Sequence, residues 1–493
     1  MDIVVVGGGF GGLTAAAMLA KDGFSVTVVE ASNEWGGCAG KFSRNKFTFP
    51  VGATLGMGFE EGGIHHRILQ ELGITYKAAP LDEVMTIHTP KDRMVIYRDR
   101  DQFLTHVKSI FPSISKEIDG FYQEVWGIAN QLQELMRKLP VLPPKTIGEW
   151  TMLLQSIRFS NVSLLPYLYQ TMHQMLKKHK LETHFDFVHF LDGILIDSMQ
   201  TTSKDCSLVL SAIALDIYHR GAFYIEGGLF DIAEKLVDSI KTSGGAVVKN
   251  SRVVSLQKNE KKWRVMDHKK KIWEADHVIC NLPIQAFTKL LDDHTVSKLP
   301  QSFHKKKTKQ QWGAFTIYMG LHEEYLPSNP PLFQQVIQTT NGRLTEGEHI
   351  FLSLSKLGDQ KRAPEGFRTL TVSTHTDLEK WNTKEKYDEY KPQLRDKIVQ
   401  GVATVFPHIE KAIQLEVIGA PRAWERFTSR PSGMVGGYPQ TIQNSLLNSI
   451  SHRTGIKGLW LCGDSVFPGA GTIGVSVSGY HVYQSIQKEG TYT

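Results

Sequence analysis

Hydrophobic and polar positions change period several times along this chain, and the changes divide it. Residues 3–6 are an unbroken β-branched run, the pattern of a strand buried on both faces. Leu13, Ala16, Ala17 and Leu19 then fall on a helix that stops at Gly23, and residues 25–29 return to a strand pattern ending at Glu30. The same rhythm comes back after Gly221. Residues 223–225 precede a helix over 229–242 with Ile232, Ala233, Leu236, Val237 and Ile240 on one face. Short strands follow over 246–248, 252–257, 262–267 and 271–275, then a buried one over 276–280. A last apolar strand over 458–462 runs into a helix carrying Gly479, Val482 and Ile486. Two stretches interrupt this rhythm. Residues 82–97 alternate as strands and lead into a mainly helical region broken at Pro112, Pro140 and Pro143-Pro144. Residues 315–321, 350–354 and 369–374 read as strands, beside an amphipathic helix over 385–406.

Glycine placement gives the first block its chemistry. Between the first strand and its helix stands Gly7-Gly8-Gly9-Phe10-Gly11-Gly12, which contains Gly7-x-Gly9-x-x-Gly12. Gly7 allows the tight turn, Gly9 leaves the backbone open to a pyrophosphate, and Gly12 lets helix and strand pack closely. The helix N-terminus turns free N–H groups and positive dipole towards the phosphates. Glu30, at the end of the second strand, can accept hydrogen bonds from ribose hydroxyls, and an acid there favours FAD or NAD over NADP. The C-terminal block separates those two. Gly463-Asp464 at a strand end puts a carboxylate where a polyol hydroxyl can reach it. The helix start near Gly474 and Val475 can aim N–H groups at a carbonyl that becomes electron-rich on reduction. FAD has a ribityl chain and a flavin pyrimidine edge; NAD has neither. Gly36-Gly37 is either a simple loop or a second set of backbone N–H groups for a phosphate or the flavin side.

These positions predict an α/β chain with a discontinuous Rossmann-like FAD-binding domain, assembled from residues 1–80, 220–285 and 420–493. A mixed α+β substrate domain is inserted in two parts, residues 81–219, largely helical, and residues 286–419. Within the first part, residues 150–180 carry Leu153, Leu154, Ile157, Leu164, Leu165, Tyr167, Leu168, Met172 and Met175 and close on Lys177, Lys178, His179 and Lys180. The stretch reads either as a core helix with a solvated basic end or as a membrane-contacting helix lying in the interface.

Composition narrows the class. A chain of 493 residues is too long for one core, and 41% hydrophobic with 22% charged residues is ordinary for a soluble protein. A net charge of +6 is too small to argue for nucleic acid but suits an anionic membrane surface. Cys38, Cys206, Cys280 and Cys462 are too scattered for a metal set. With a dinucleotide fold that starts at Met1, they are expected to be reduced thiols in the cytoplasm. No apolar run reaches transmembrane length, so the chain is not expected to span a membrane. His65, His66, His184 and His189 are available bases, but no Ser/His/Asp set or metal cluster stands out, and no catalytic residue is assigned.

Six segments carry a resemblance: the opening 4–30, EWGGCAG (34–40), GAFYIEGGLFDIAEKL (221–236) with NSRVVSL (250–256), ERFTSRPSGMVGGYPQ (425–440) and GLWLCGDSVFPGAGTIGVSVSG (458–479). Together they resemble the phytoene desaturase family, FAD-dependent carotenoid desaturases and isomerases within the wider amine-oxidase-like flavoproteins. The resemblance implies that Gly7, Gly9 and Gly12 hold the FAD pyrophosphate and Glu30 the adenosine ribose. It makes Gly36 and Gly37 the family's second glycine pair and Val253 the position whose backbone meets the adenine. Gly463 and Asp464 match the C-terminal Gly-Asp, and Gly474 and Val475 the helix start under the flavin. Where many members carry Arg after the glycine pair this chain has Cys38, as retinoid saturase and carotenoid isomerase relatives also lack that Arg; Cys38 reads as a small packing residue.

The implied activity is that of an oxidoreductase on carbon–carbon bonds of a long apolar polyene, foremost phytoene-type desaturation. Carotenoid cis–trans isomerisation or retinoid saturation with reduced FAD, amine oxidation, and a non-enzymatic prenyl-lipid carrier of the same fold are the alternatives. The implied partners are an isoprenoid substrate, the inner face of the cell membrane as a peripheral attachment site, and an unnamed electron acceptor.

Overall fold

In the computed structural model, which describes residues 1–304, 312–339 and 342–490, the opening β-branched run becomes β1 (Asp2–Val6), the centre of a five-stranded sheet. The order across the sheet is Ala246–Val248, β2 (Ser25–Val29), β1, His277–Asn281, Leu459–Cys462, and every pairing is parallel. Both faces are covered, which is why β1 reads as continuously apolar. Ile3 and Val5 pack with α1 (Phe10–Lys21) and with the helices Leu229–Thr242 and Gly471–Gly490. Val4 and Val6 share a second core with Trp263, Val265 and Phe287. The chain leaves β1 towards β2 on one side and later adds His277–Asn281 on the other. The carboxyl ends of β1 and His277–Asn281 therefore flank a topological switch point, where open α/β sheets take their ligands.

A seven-stranded mixed sheet forms the other half, in the order Ile413–Gly419, Trp312–His322, Phe367–Asp377, His349–Leu354, Phe333–Ile337, Glu83–His88, Arg93–Tyr97. Residues from both interrupting stretches thus share one sheet, joined by the parallel pairing of Glu83–His88 with Phe333–Ile337. Helix Lys384–Ala403 lies on it through Leu394, Ile398 and Val402. On the opposite side, helices Ser115–Met136, Phe185–Met199 and Leu208–Arg220 close a core around Phe121, Phe187 and Phe190.

Residues 150–180 are not the single helix that the apolar spacing predicts. They form three pieces: helix Ile147–Ser156, a 3-10 stretch Phe159–Tyr167 containing Pro166, and helix Met172–Lys178. Ile157 leaves helical geometry at φ −75° and ψ 125°, and Thr171 opens a new helix with a capping box to Gln174. The apolar residues divide accordingly. Met172, Met175 and Leu176 are core, whereas Ile147, Phe159 and Leu154 are 87%, 95% and 65% exposed. Lys178 is held by Glu124 at 2.5 Å. Among the described residues no helix is long and apolar enough to cross a membrane, and all four cysteines are free thiols.

Candidate functional site

A cavity of about 2100 Å³ opens at the carboxyl edge of the parallel sheet and continues between the two halves. It exceeds the roughly 300–1,000 Å³ of a single small-molecule site. Gly7 and Gly9 after β1, Glu30 after β2, Asn281, and Gly463-Asp464 after the last strand all face it. So do Gly36, Gly37, Val253, Gly474 and Val475; of the predicted residues only Gly12 stands behind the wall.

The glycines divide the work between packing and the cavity wall. A Cβ on Gly12 would lie 2.4 Å from the Gly7 carbonyl oxygen, so Gly12 serves the close packing of helix on strand. At Gly9 the expected opening for a pyrophosphate is bounded by protein: a Cβ there would lie 2.6 Å from Nδ2 of Asn281. Asn281 comes from a strand remote in sequence, so only folding reveals this neighbour. Gly36 and Gly37 are more than a loop. The Gly36 N–H donates to the Gly8 carbonyl at 2.8 Å, Gly9 and Gly36 form a parallel bridge, and both members of the pair have positive φ, +97° and +59°. The two glycine turns therefore stack into one cradle of bare backbone.

Glu30 is held ready at one end. Its Oε2 accepts from the Gly8 N–H at 2.6 Å and its Oε1 from the Ser32 N–H at 2.7 Å. Each oxygen keeps a lone pair for a hydroxyl. Burial pushes this carboxyl above the usual carboxylate range while the backbone amides pull it back. Trp35 closes over Gly8, and Lys249 Nζ lies 5.0 Å from the centroid of that ring. Val253 opens the strand Val253–Lys258 at the cavity edge beside Ser251 and Arg252.

At the far end Asp464 lines the cavity, and its Oδ2 accepts from Arg430 in a buried pair. Burial works against the charge on Arg430, but Asp464 and the neighbouring Cys38 outweigh it, and the guanidinium is held above its ordinary pKa. A guanidinium thus reaches Cys38 from position 430. Nothing local in the sequence signals that approach.

The helix start is shifted. The helix begins at Gly471, so the N–H groups left without an intrahelical acceptor belong to residues 471–474, and Val475 lies just inside. Its carbonyl accepts from Ser478 Oγ at 2.7 Å, and Ser478 in turn receives the Gly463 N–H at 2.9 Å. His65 is no base. Its Nδ1 lies 2.7 Å from the Met57 carbonyl and its Nε2 3.2 Å from Ser476 Oγ, and burial pushes it down to about 4, so it braces this helix as a neutral ring. His66 pairs with the Tyr76 hydroxyl and His189 with the Phe185 carbonyl, while His184 precedes helix Phe185–Met199. Among the described residues no His/Cys/Asp/Glu group could hold a metal ion.

The model of the flavin containing amine oxidoreductases matches residues 10–484. The chloroplastic prolycopene isomerase of Arabidopsis thaliana is 29% identical over 500 residues, covering 97% of this chain and 81% of that protein. The all-trans-retinol 13,14-reductase of Macaca fascicularis is 24% identical over 539 residues, covering 100% of this chain and 86% of its own. Among solved structures, a redesigned putrescine oxidase superposes with a TM-score of 0.66 at 14% identity, over 99% of each chain, a likeness of fold.

Proposed function

Since the chain belongs to the flavin containing amine oxidoreductase family and uses FAD, we propose that it acts on a long apolar polyene and isomerises its cis double bonds with the flavin reduced. The observation that carries this reading is the cavity. Beyond the glycine cradle it continues past Met136, Leu210, Ile213, Ala214 and Ile217, leaving room for an extended hydrocarbon beside the cofactor.

The bare backbone of Gly7, Gly9, Gly36 and Gly37 takes the pyrophosphate, with Gly12 behind it allowing the helix N-terminus to come close. Glu30 takes the adenosine ribose and the Val253 backbone the adenine. Arg430, paired with Asp464 beside Cys38, supplies a fixed positive charge at the flavin end, and the amides of residues 471–474 with the Gly474-Val475 turn face the pyrimidine edge. When bound, FAD supplies electron density and two-electron chemistry against the polyene. The chain's own residues orient the substrate and keep water out.

Two observations favour isomerisation over phytoene-type desaturation. The likeness to a prolycopene isomerase runs nearly the whole length of the chain, and position 38 lacks the Arg that many desaturases carry. We further place the exposed Ile147, Trp150, Leu154, Phe159 and Leu165 against a membrane surface, from which such a substrate is drawn.

The test is direct. Purified protein should be yellow with flavin absorption. Incubated under reducing conditions with poly-cis lycopene, phytoene and retinol, it should yield all-trans lycopene and leave the others unchanged. Desaturated phytoene or a saturated retinoid would replace this reading with those activities. Colourless protein that FAD cannot reconstitute would favour a lipid carrier.

A further inference from the structure

One acid in the cavity wall stands apart from the glycine cradle. Asp197 lies near the end of helix Phe185–Met199, lines the cavity, and keeps 23% of its side chain accessible. Its Oδ2 accepts from Gln335 Nε2 at 2.8 Å, and the same amide donates to the Gly193 carbonyl at 3.2 Å. Two imidazoles face it from the neighbouring strands. His349 Nε2 stands 3.7 Å from Oδ2 and His375 Nδ1 3.8 Å from Oδ1, both too far for a hydrogen bond. Neither nitrogen of His349 has a partner, nor has Gln335 Oε1, although all are buried. Gly193 makes this crowding possible: a Cβ there would come 3.2 Å from Gln335 Oε1 and 3.5 Å from the His349 ring.

The cluster is wired to the flavin end by short contacts. His375 Nε2 lies 3.2 Å from Gln200 Oε1, and Gln200 fills the space a Cβ on Gly436 would need, 2.2 Å from its Cδ. The next residue, Gly437, is pressed on the Asp464 carbonyl in the same way, at 2.5 Å. Trp312 Nε1 pins the Gln200 carbonyl at 3.1 Å.

We propose that Asp197 is the acid that gives a proton to the bound polyene and takes one back, with Gln335 as its positioning residue; this rests on the polyene reading above. The Asp197 O–H bond breaks as one C=C π pair forms a C–H bond, leaving a cation delocalised over the remaining double bonds. The former double bond turns as a single bond. One of the two hydrogens on the protonated carbon then leaves to the Asp197 carboxylate as a proton, its C–H pair re-forms the double bond as trans, and no electron is gained or lost. The geometry suits this step: Oδ1 is the oxygen with no hydrogen-bonded partner, on a side chain that opens to the cavity. The charge state suits it as well. Burial pushes the Asp197 carboxyl up to about 6, and burial pushes His349 down to about 3 and His375 to about 4, so the ring neighbours are neutral. Tyr218, the titratable group facing from helix Leu208–Arg220, is pushed up and stays protonated.

The experiment compares FAD-loaded wild type, Asp197→Asn and Asp197→Glu on poly-cis lycopene in deuterated water, with flavin absorbance and thermal midpoint recorded for each. Wild type should place solvent deuterium in the all-trans product, and its rate should fall as pH rises through about 6. Asp197→Asn should keep FAD and fold but turn over on the order of 10²-fold slower or less, without deuterium, and Asp197→Glu should recover part of the rate. Infrared spectra should show a protonated-carboxyl band that titrates in wild type and is missing from Asp197→Asn. An Asp197→Asn variant with wild-type rate, pH profile and deuterium content overturns the proposal while leaving the isomerase reading standing. A yellow wild type inactive on every polyene overturns the functional reading, and the proton step with it.

Discussion

Arg430 shows what a single residue can hide in a sequence. Its segment contributes to a family likeness, yet its partners, Cys38 and Asp464, come from opposite ends of the chain. The pair is buried on the cavity wall, where leaving one member alone is costly. Arg430→Met should lower stability by about 3–5 kcal/mol, because it strands the Asp464 carboxylate. It should also lower the ratio of flavin to protein absorbance. Arg430→Lys should restore charge but not the planar geometry, and so recover FAD only in part. Thermal unfolding with and without added FAD separates the two effects. Glu30, by contrast, was legible: the strand end, the glycine turn and the N–H groups that orient it all lie within the first thirty-two residues, so spacing alone carried the inference. The histidines were legible only as a list. His65 turned out to be a brace, because what a ring does depends on Met57, Thr472 and Ser476 around it.

Between elements, the contact that ties the first block to the last is the crossing of α1 with helix Gly471–Gly490. A Cβ on Gly479 would fall 2.1 Å from the Gly11 carbonyl oxygen, and backbone cannot give way as a flexible side chain would. Gly479→Ala should therefore cost about 1–3 kcal/mol or more by overpacking and should loosen FAD, since the Gly7–Gly12 turn and the segment from Gly463 to Gly471 lead into these helices. Gly127→Ala in helix Ser115–Met136 is the control. Nothing lies within 4 Å of its Cβ, so it should gain about 0.5–1 kcal/mol. Equal melting temperatures for the two variants would contradict the crossing argument. The periodicities predicted both helices, but not that they touch. Residues 150–180 mark the opposite failure: apolar spacing resembled one helix, while Pro166 and the cap at Thr171 cut it into pieces that face different ways.

For the whole molecule, the proposed membrane contact rests on the exposed apolar residues of the first two pieces. Phe159 at 95% and Leu165 at 59% exposure stand outside every core cluster. Phe159→Glu with Leu165→Glu should reduce sedimentation with lipid vesicles several-fold and leave FAD content and melting unchanged. Lys178→Glu is a poorer probe of membrane binding, because it breaks the ion pair with Glu124 that ties its helix to the core. If the double variant pellets like wild type, the apolar rim is not the membrane contact.

By itself, the sequence determined the α/β class, the discontinuous parallel sheet, the FAD requirement and the glycine-lined end of the cavity wall, because each rests on local spacing: a buried strand, a glycine turn, a helix start, an acid at a strand end. The tertiary structure alone decided which side chains meet. Asn281 against Gly9, Arg430 between Cys38 and Asp464, and Asp197 among Gln335, His349 and His375 join strands and helices far apart in the chain. A side chain's charge and reactivity follow from burial and neighbours, and neither exists until the two sheets have packed around the cavity.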